Sequence, residues 1–136
     1  MPALPWIRGT ATAEPGSRLT VLATRLPLRK HRHIPAFLGW TLRIRGQLGT
    51  APGLVGYSLD AHVLAKTFWT VSAWADQAAM EDFVRQDPHA SAMAAVRPHM
   101  GGSTFVFWTV TPEELPVKWG DVRHRVEEKM APSHRR

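Results

Sequence analysis

KTFWTVSAW, residues 66–74, is the stretch that decides how this chain folds. Threonine, valine and aromatic side chains dominate it, and these suit a pleated, half-buried surface. Both alternating sets are apolar: Phe68 and Trp74 on one, Trp69 and Val71 on the other. A strand patterned this way is covered on both faces.

The neighbouring segments supply its partners. Upstream, PGLVGYSLDAH (52–62) follows a Pro-Gly turn signal and reads as a strand, with AHVLA (61–65) turning the hairpin. Downstream, Asp76 caps a helix, DQAAMEDFVRQ, whose apolar stripe is Ala79, Met80, Phe83 and Val84. Asp87 and Pro88 open a second helical piece at once, with Asp as N-cap and Pro in the first turn, and Pro98 ends it. GGSTFVFWTV (101–110) is another strand with two apolar sets, Val106 and Trp108 against Phe105 and Phe107. Near the start, RLTVLATRL (18–26) is a strand covered on both faces. IPAFLGWTLRIRGQL (34–48) is an amphipathic helix, with Pro35 in its first turn and Gly49 at its close.

The order strand, helix, strand, strand, helix, strand is that of the ferredoxin-like βαββαβ unit, an α+β fold with helices on one face of an antiparallel sheet. The division is an extended N-terminal arm (1–17) anchored by Trp6, the ferredoxin-like domain (18–112), and a polar helical tail (113–136). The tail's only apolar seam is Val122, Val126 and Met130. Because the face away from the helices is apolar too, a second copy of the sheet is its expected cover. That gives a homodimer, a dimeric α/β barrel, burying about 1,000 Å² or more.

At 136 residues, 44% hydrophobic and 21% charged, the chain is an ordinary globular domain. No window approaches a membrane span. Pro2, Pro5 and Arg8 break up what a signal peptide would need, so a cytoplasmic protein is expected. Cysteine is absent, which removes disulfides, thiol nucleophiles and thiolate metal sites. The net charge of +6 and the pI near 10.8 favour acidic partners. The basic residues are mostly arginine and scattered; two local clusters, RLPLRKHRH (25–33) and SHRR (133–136), read as a solvated loop and tail. Nucleic acid is disfavoured, for no basic stripe interleaved with exposed aromatics is evident.

His89 sits just after Asp87 and Pro88, at the second or third position of the small, apolar helix they open. The positive end of a helix disfavours imidazolium, and neutral imidazole is what a metal ligand or general base requires. Ala92, Met93 and Val96 share its face and Arg97 lies two turns on, an arrangement suited to a flat apolar ligand with an anionic edge. A histidine at a helix start can equally just bond a neighbouring carbonyl. The six tryptophans, Trp6, Trp40, Trp69, Trp74, Trp108 and Trp119, fill core or line a pocket; Trp40 beside Gly39 is the foremost pocket candidate. There is no GxGxxG, no P-loop, no catalytic triad and no paired strand carboxylates. His31 and His33, two apart, point to different sides of a helix.

TFWTVSAWADQAAMEDFVRQDPHASAMAAV (67–96) resembles the core signature of the dimeric α/β-barrel superfamily, in its antibiotic biosynthesis monooxygenase branch. There a strand ends on tryptophan, a helix with an aromatic near its end follows, and a histidine stands in a "PH" segment; Trp74, Met80, Phe83 and His89 match. PHASAMAAVR is locally most similar to the spheroidene monooxygenase-like group. The resemblance spans about residues 18–110. It implies oxidation of hydrophobic or aromatic substrates with molecular oxygen, either without a cofactor or with heme. Heme degraders of this kind carry their proximal histidine a turn later, where this chain has Met93. Their first-strand asparagine has no counterpart in RLTVLATRL.

The combined expectation is a small dimeric monooxygenase-like oxidoreductase with a pocket between sheet and helices. His89 is the axial ligand of a heme, and the metal ligand only in that case, or otherwise a base. Met93 and Arg97 hold a cofactor or an anionic edge, and Phe37, Trp40, Trp74 and Phe83 form the walls for substrate. The alternative is a non-catalytic binding protein for a planar hydrophobic ligand such as heme.

Overall fold

The computed structural model describes residues 5–130. Five strands form one antiparallel sheet: β1 (Ile7–Arg8), β2 (Leu19–Pro27), β3 (Leu54–His62), β4 (Thr67–Trp74) and β5 (Thr104–Val110), in the order β1-β3-β4-β2-β5. Four helices accompany them: α1 (Ile34–Leu48), α2 (Gln77–Arg85), α3 (His89–Val96) and α4 (Trp119–Met130). Without β1, the strand order is that of the ferredoxin-like unit, so the α+β architecture and the βαββαβ order stand.

β4 is central, as its double apolar pattern requires, pairing Val71 with Ala23 of β2 and Ser58 of β3. Gly53 turns the chain into β3 at φ +82°, and a Cβ there would meet the Ala79 side chain at 2.5 Å. The arm is more than a lead-in. Its Ile7 and Arg8 pair with Tyr57 and Gly56 on the sheet edge. Trp6 lies so close over Gly56 that a Cβ would come 2.3 Å from its indole nitrogen. Residues 1–4 of the arm and 131–136 of the tail lie outside the described residues.

One face of the sheet packs on α1, α2 and α3. Leu54, Tyr57, Trp74, Met80 and Phe83 form one core there, and Leu28, Ile34, Phe37, Phe68, Val96 and Met100 another. The opposite face, with Leu19, Val21, Ala23, Trp69, Val71, Ala73 and Val110, packs on Val117 and on Val122 and Val126 of α4.

This corrects the expectation of a second sheet as the cover. The cover comes from the same chain: the tail is an integral helix, with Val122 and Val126 fully buried against the sheet. The reason is local. Two valines one turn apart are a narrow seam but suffice for a flat sheet face, and α4's polar groups find partners there. Arg123 pairs with buried Asp60 of β3, Lys129 donates to the Phe105 carbonyl, and Arg125 lies 4.5 Å over the Trp108 ring. The argument that only a homodimer can close this face therefore falls away.

Candidate functional site

A cavity of about 640 Å³ lies between the helix-bearing face of the sheet and α1, α2 and α3. Its floor is Leu22, Leu26, Thr24 and Thr70, with the two threonine hydroxyls hydrogen-bonded across the strands at 2.5 Å. Phe105 and half-exposed Phe107 of β5 extend the floor toward solvent. Phe37 and Trp40 project from α1, Trp74 from the end of β4 and Phe83 from α2. His89, Met93 and Arg97 come from α3 and its C-terminal end. Every candidate site residue named from the sequence thus borders one space.

The walls differ in what they can do. Trp74 is fully buried, donates from Nε1 to Ser72 Oγ at 2.8 Å and stacks obliquely on Phe83 at 5.1 Å, so it holds the wall rather than receiving a ligand. Trp40 is half-buried, with the Arg43 guanidinium 4.8 Å over its ring. Of the remaining tryptophans, Trp69 is buried and Trp108 and Trp119 half-buried on the opposite sheet face.

His89 is the chemically distinctive group. It is the first residue of α3, one place earlier than the sequence suggests, because Asp87 caps from further back, accepting Ser91 N–H at 3.0 Å and Ser91 Oγ–H at 2.7 Å. Its Nδ1 lies 3.2 Å from the Val84 carbonyl oxygen. A carbonyl only accepts, so Nδ1 carries the hydrogen and Nε2 of the neutral ring is a free lone pair. Among the described residues no fully buried side-chain nitrogen or oxygen lacks a partner, so Nε2, which has none, is not sealed inside the core. Burial holds the imidazole below its ordinary value of 6.5, outweighing the opposite pull of the Val84 carbonyl.

Gln47 fixes this geometry and was not evident from the sequence. From α1 its Oε1 accepts the His89 backbone N–H at 3.0 Å while its Nε2 donates to the Phe83 carbonyl at 3.1 Å. The only local signal is a polar residue wedged between Ile44 and Leu48 on an apolar helix face.

Electrostatically the site is one-sided. Arg45, Arg85 and Arg97 border the cavity, and no Asp or Glu does among the described residues. Arg85 is paired with Asp82; Arg45 and Arg97 form no ion pair among the described residues. Nor do the described residues bring together three His, Cys, Asp or Glu side chains able to hold a metal ion. Heme needs a single protein ligand, and His89 with its bonded Nδ1 and free Nε2 fits that role. No helix of the described residues is long and apolar enough to cross a membrane.

No family model matches the sequence, and neither does any curated protein. Solved structures do match. SnoaB from Streptomyces nogalater, a cofactor-independent oxygenase solved as a variant, superposes with a TM-score of 0.58 at 16% identity, over 72% of this chain and 97% of SnoaB. An antibiotic biosynthesis monooxygenase superposes at 0.59 and 19% identity, over 69% of this chain and 99% of its own. A conserved protein from Methanosarcina mazei does so at 0.58 and 10% identity, over 66% and 91%. At these identities the likeness is one of architecture. The chain has the ferredoxin-like α+β fold of the antibiotic biosynthesis monooxygenases.

Proposed function

We propose that this protein is a small monooxygenase-type oxidoreductase acting on a planar, hydrophobic, ionisable aromatic molecule held in the cavity, with His89 as the proton acceptor. The observation that carries the reading is a neutral imidazole whose Nδ1 is tied to Val84 and whose Nε2 is free, in an apolar chamber with cations and no carboxylates at its border. Nε2 takes the proton of a ring hydroxyl, and Arg97 balances the charge of the anion that results. The anion is electron-rich enough to meet molecular oxygen directly. A ring CH₂ becomes C=O: one oxygen atom enters the product, and the other leaves as water with the two hydrogens, so no external reductant is consumed. Phe37, Trp40 and Phe83 keep the anion flat and away from bulk water.

The cofactor-independent oxygenase among the structural neighbours favours this reading over one through heme. If heme is the occupant, His89, Met93 and Arg97 would be the residues that hold it, His89 through its free ring nitrogen. Bound heme would then supply the oxygen activation. A carrier of planar ligands would use the same walls and need no base.

Oxygen uptake by metal-stripped protein, measured against a panel of polycyclic phenols and anthrones, tests the proposal. Uptake with one carbonyl formed per oxygen consumed is expected. Ligand binding without uptake would leave the carrier. Uptake that appears only after hemin addition, with a histidine-type Soret band, would move the chemistry to heme.

A further inference from the structure

The basic run 25–33 gains a partner in the fold. The β2–α1 connection and the α3–β5 connection meet where Leu28 bridges Met100 and the Arg29 N–H donates to the His99 carbonyl at 2.8 Å. Arg29 Nε also donates to the Met100 carbonyl at 2.7 Å. The His33 and His99 rings stack there, 3.8 Å apart and 20° from parallel. Lys30, Arg32 and Arg97 belong to the same two connections and are exposed. None of these basic groups forms an ion pair among the described residues.

The sequence around them holds no counter-charge. No Asp or Glu occurs between Glu14 and Asp60, nor between Asp87 and Glu113. Thus β2, α1, α3 and β5 carry no carboxylate at all. Like charges gathered with no partner repel one another, and an anion relieves that repulsion. Two imidazoles in stacking contact cannot both be protonated cheaply unless an anion lies beside them. His33 is held below its ordinary value, by desolvation first and then by the charges of His99, Arg32 and Lys30. The corner adjoins the cavity: Phe37, one turn beyond His33, and Met100, next after His99, both line it, as does Arg97.

We propose that this corner is the anion subsite of the cavity, taking the phosphate or carboxylate head of an amphipathic ligand whose apolar body lies between the sheet and α1, α2 and α3. The inference rests on the cavity being the ligand site but not on the oxidation chemistry. Binding of the head group and protonation of His33 are linked, so affinity for an anion of fixed charge rises as pH falls through the imidazole range. The charges acting on His33 are those of His99, Arg32 and Lys30, and Arg29 and Arg97 belong to the same two connections; among the described residues of these connections there is no carboxylate to offset the trend.

Calorimetry with 1-naphthol, 1-naphthyl phosphate and inorganic pyrophosphate tests this, alongside histidine Hε1 titrations by NMR. At pH 6 the naphthyl phosphate should bind at least tenfold more tightly than 1-naphthol, with the advantage shrinking by pH 8. In the exposed double variant K30Q/R32Q that advantage should fall below threefold while 1-naphthol affinity holds. His33→Gln should reduce its pH dependence to that of the phosphate's own second ionisation, at about pH 6. Equal affinity of the two naphthyl probes, or an advantage that survives the double variant, overturns the proposal. So does random duplex DNA bound at the corner more tightly than naphthyl phosphate. Pyrophosphate that shifts His33 and His99 while neither naphthyl probe binds would keep an anion corner but sever it from the cavity, and so overturn the proposal as stated. 1-Naphthol bound with no gain from phosphate would leave the cavity reading intact and sink the subsite alone.

Discussion

Gln47 and His89 are joined across the helix layer: the α1 amide oxygen accepts the backbone N–H of the first residue of α3 at 3.0 Å. The same amide holds the Phe83 carbonyl, so one side chain ties α1 to the ends of two further helices. Removing it leaves a helix-start N–H and a carbonyl to find water. Gln47→Ala is expected to cost about 1–2 kcal/mol in urea denaturation. It should also lower turnover roughly tenfold with little change in ligand affinity, because the backbone that carries the imidazole loses its tie to α1 while the ring keeps its own bond to Val84.

The histidine itself makes stability depend on pH. Burial lowers the folded-state affinity of His89 for a proton, so below its ordinary value of 6.5 the unfolded chain binds a proton that the folded chain resists. The stability tied to neutral His89 is therefore present above pH 6.5 and lost as pH falls through the lowered folded value. Denaturation series from pH 7.5 to pH 5 should show wild type losing more stability than His89→Gln. Parallel curves would contradict the neutral, half-buried imidazole.

The buried ion pair on the opposite face predicts an asymmetry. Asp60 is only 3% exposed, whereas the Arg123 side chain is 38% exposed and His62 lies 3.0 Å from the same carboxylate. Removing the arginine strands a buried charge; removing the carboxylate frees a cation that can reach water. Arg123→Met should cost about 3 kcal/mol and Asp60→Asn clearly less, read from thermal or urea unfolding.

α4 as the cover makes a prediction about association. Truncation after residue 116 would bare Val21, Ala23, Val71 and Ala73, and Val126→Asp would set a charge among them. Both changes should turn the chain into a self-associating or insoluble species in light scattering, with Val126→Asp destabilised by several kcal/mol. A truncated chain with the solution behaviour of the full one would mean the helix contributes little.

Most of the architecture was legible because the signals are local. The double alternation of 66–74, the Asp76 cap, whose Oδ1 accepts the Ala79 N–H at 2.8 Å, and the spacing along 34–48 each specify their element without help from elsewhere. The same alternation also announced correctly that both sheet faces are covered. What covers the second face was not legible, because Val122 and Val126 are two residues in an otherwise polar run, and the Asp60–Arg123 pair spans 63 positions. β1 escaped notice for a related reason: two residues in a proline- and glycine-rich arm have no period to read. In the site, side chains on one face of HASAMAAV could be grouped from spacing alone. The Gln47 clamp and the His33–His99 stack are tertiary and leave no mark in either local sequence.

The most direct test of the central claim compares binding with turnover in one substitution. With an aromatic substrate found by oxygen uptake, His89→Gln should retain the ligand dissociation constant within about threefold. Its oxygen uptake should drop by roughly 100-fold or more, the usual worth of a positioned general base. Uptake that survives the substitution at near wild-type rate, with binding intact, would show that His89 is not the proton acceptor and would contradict the account.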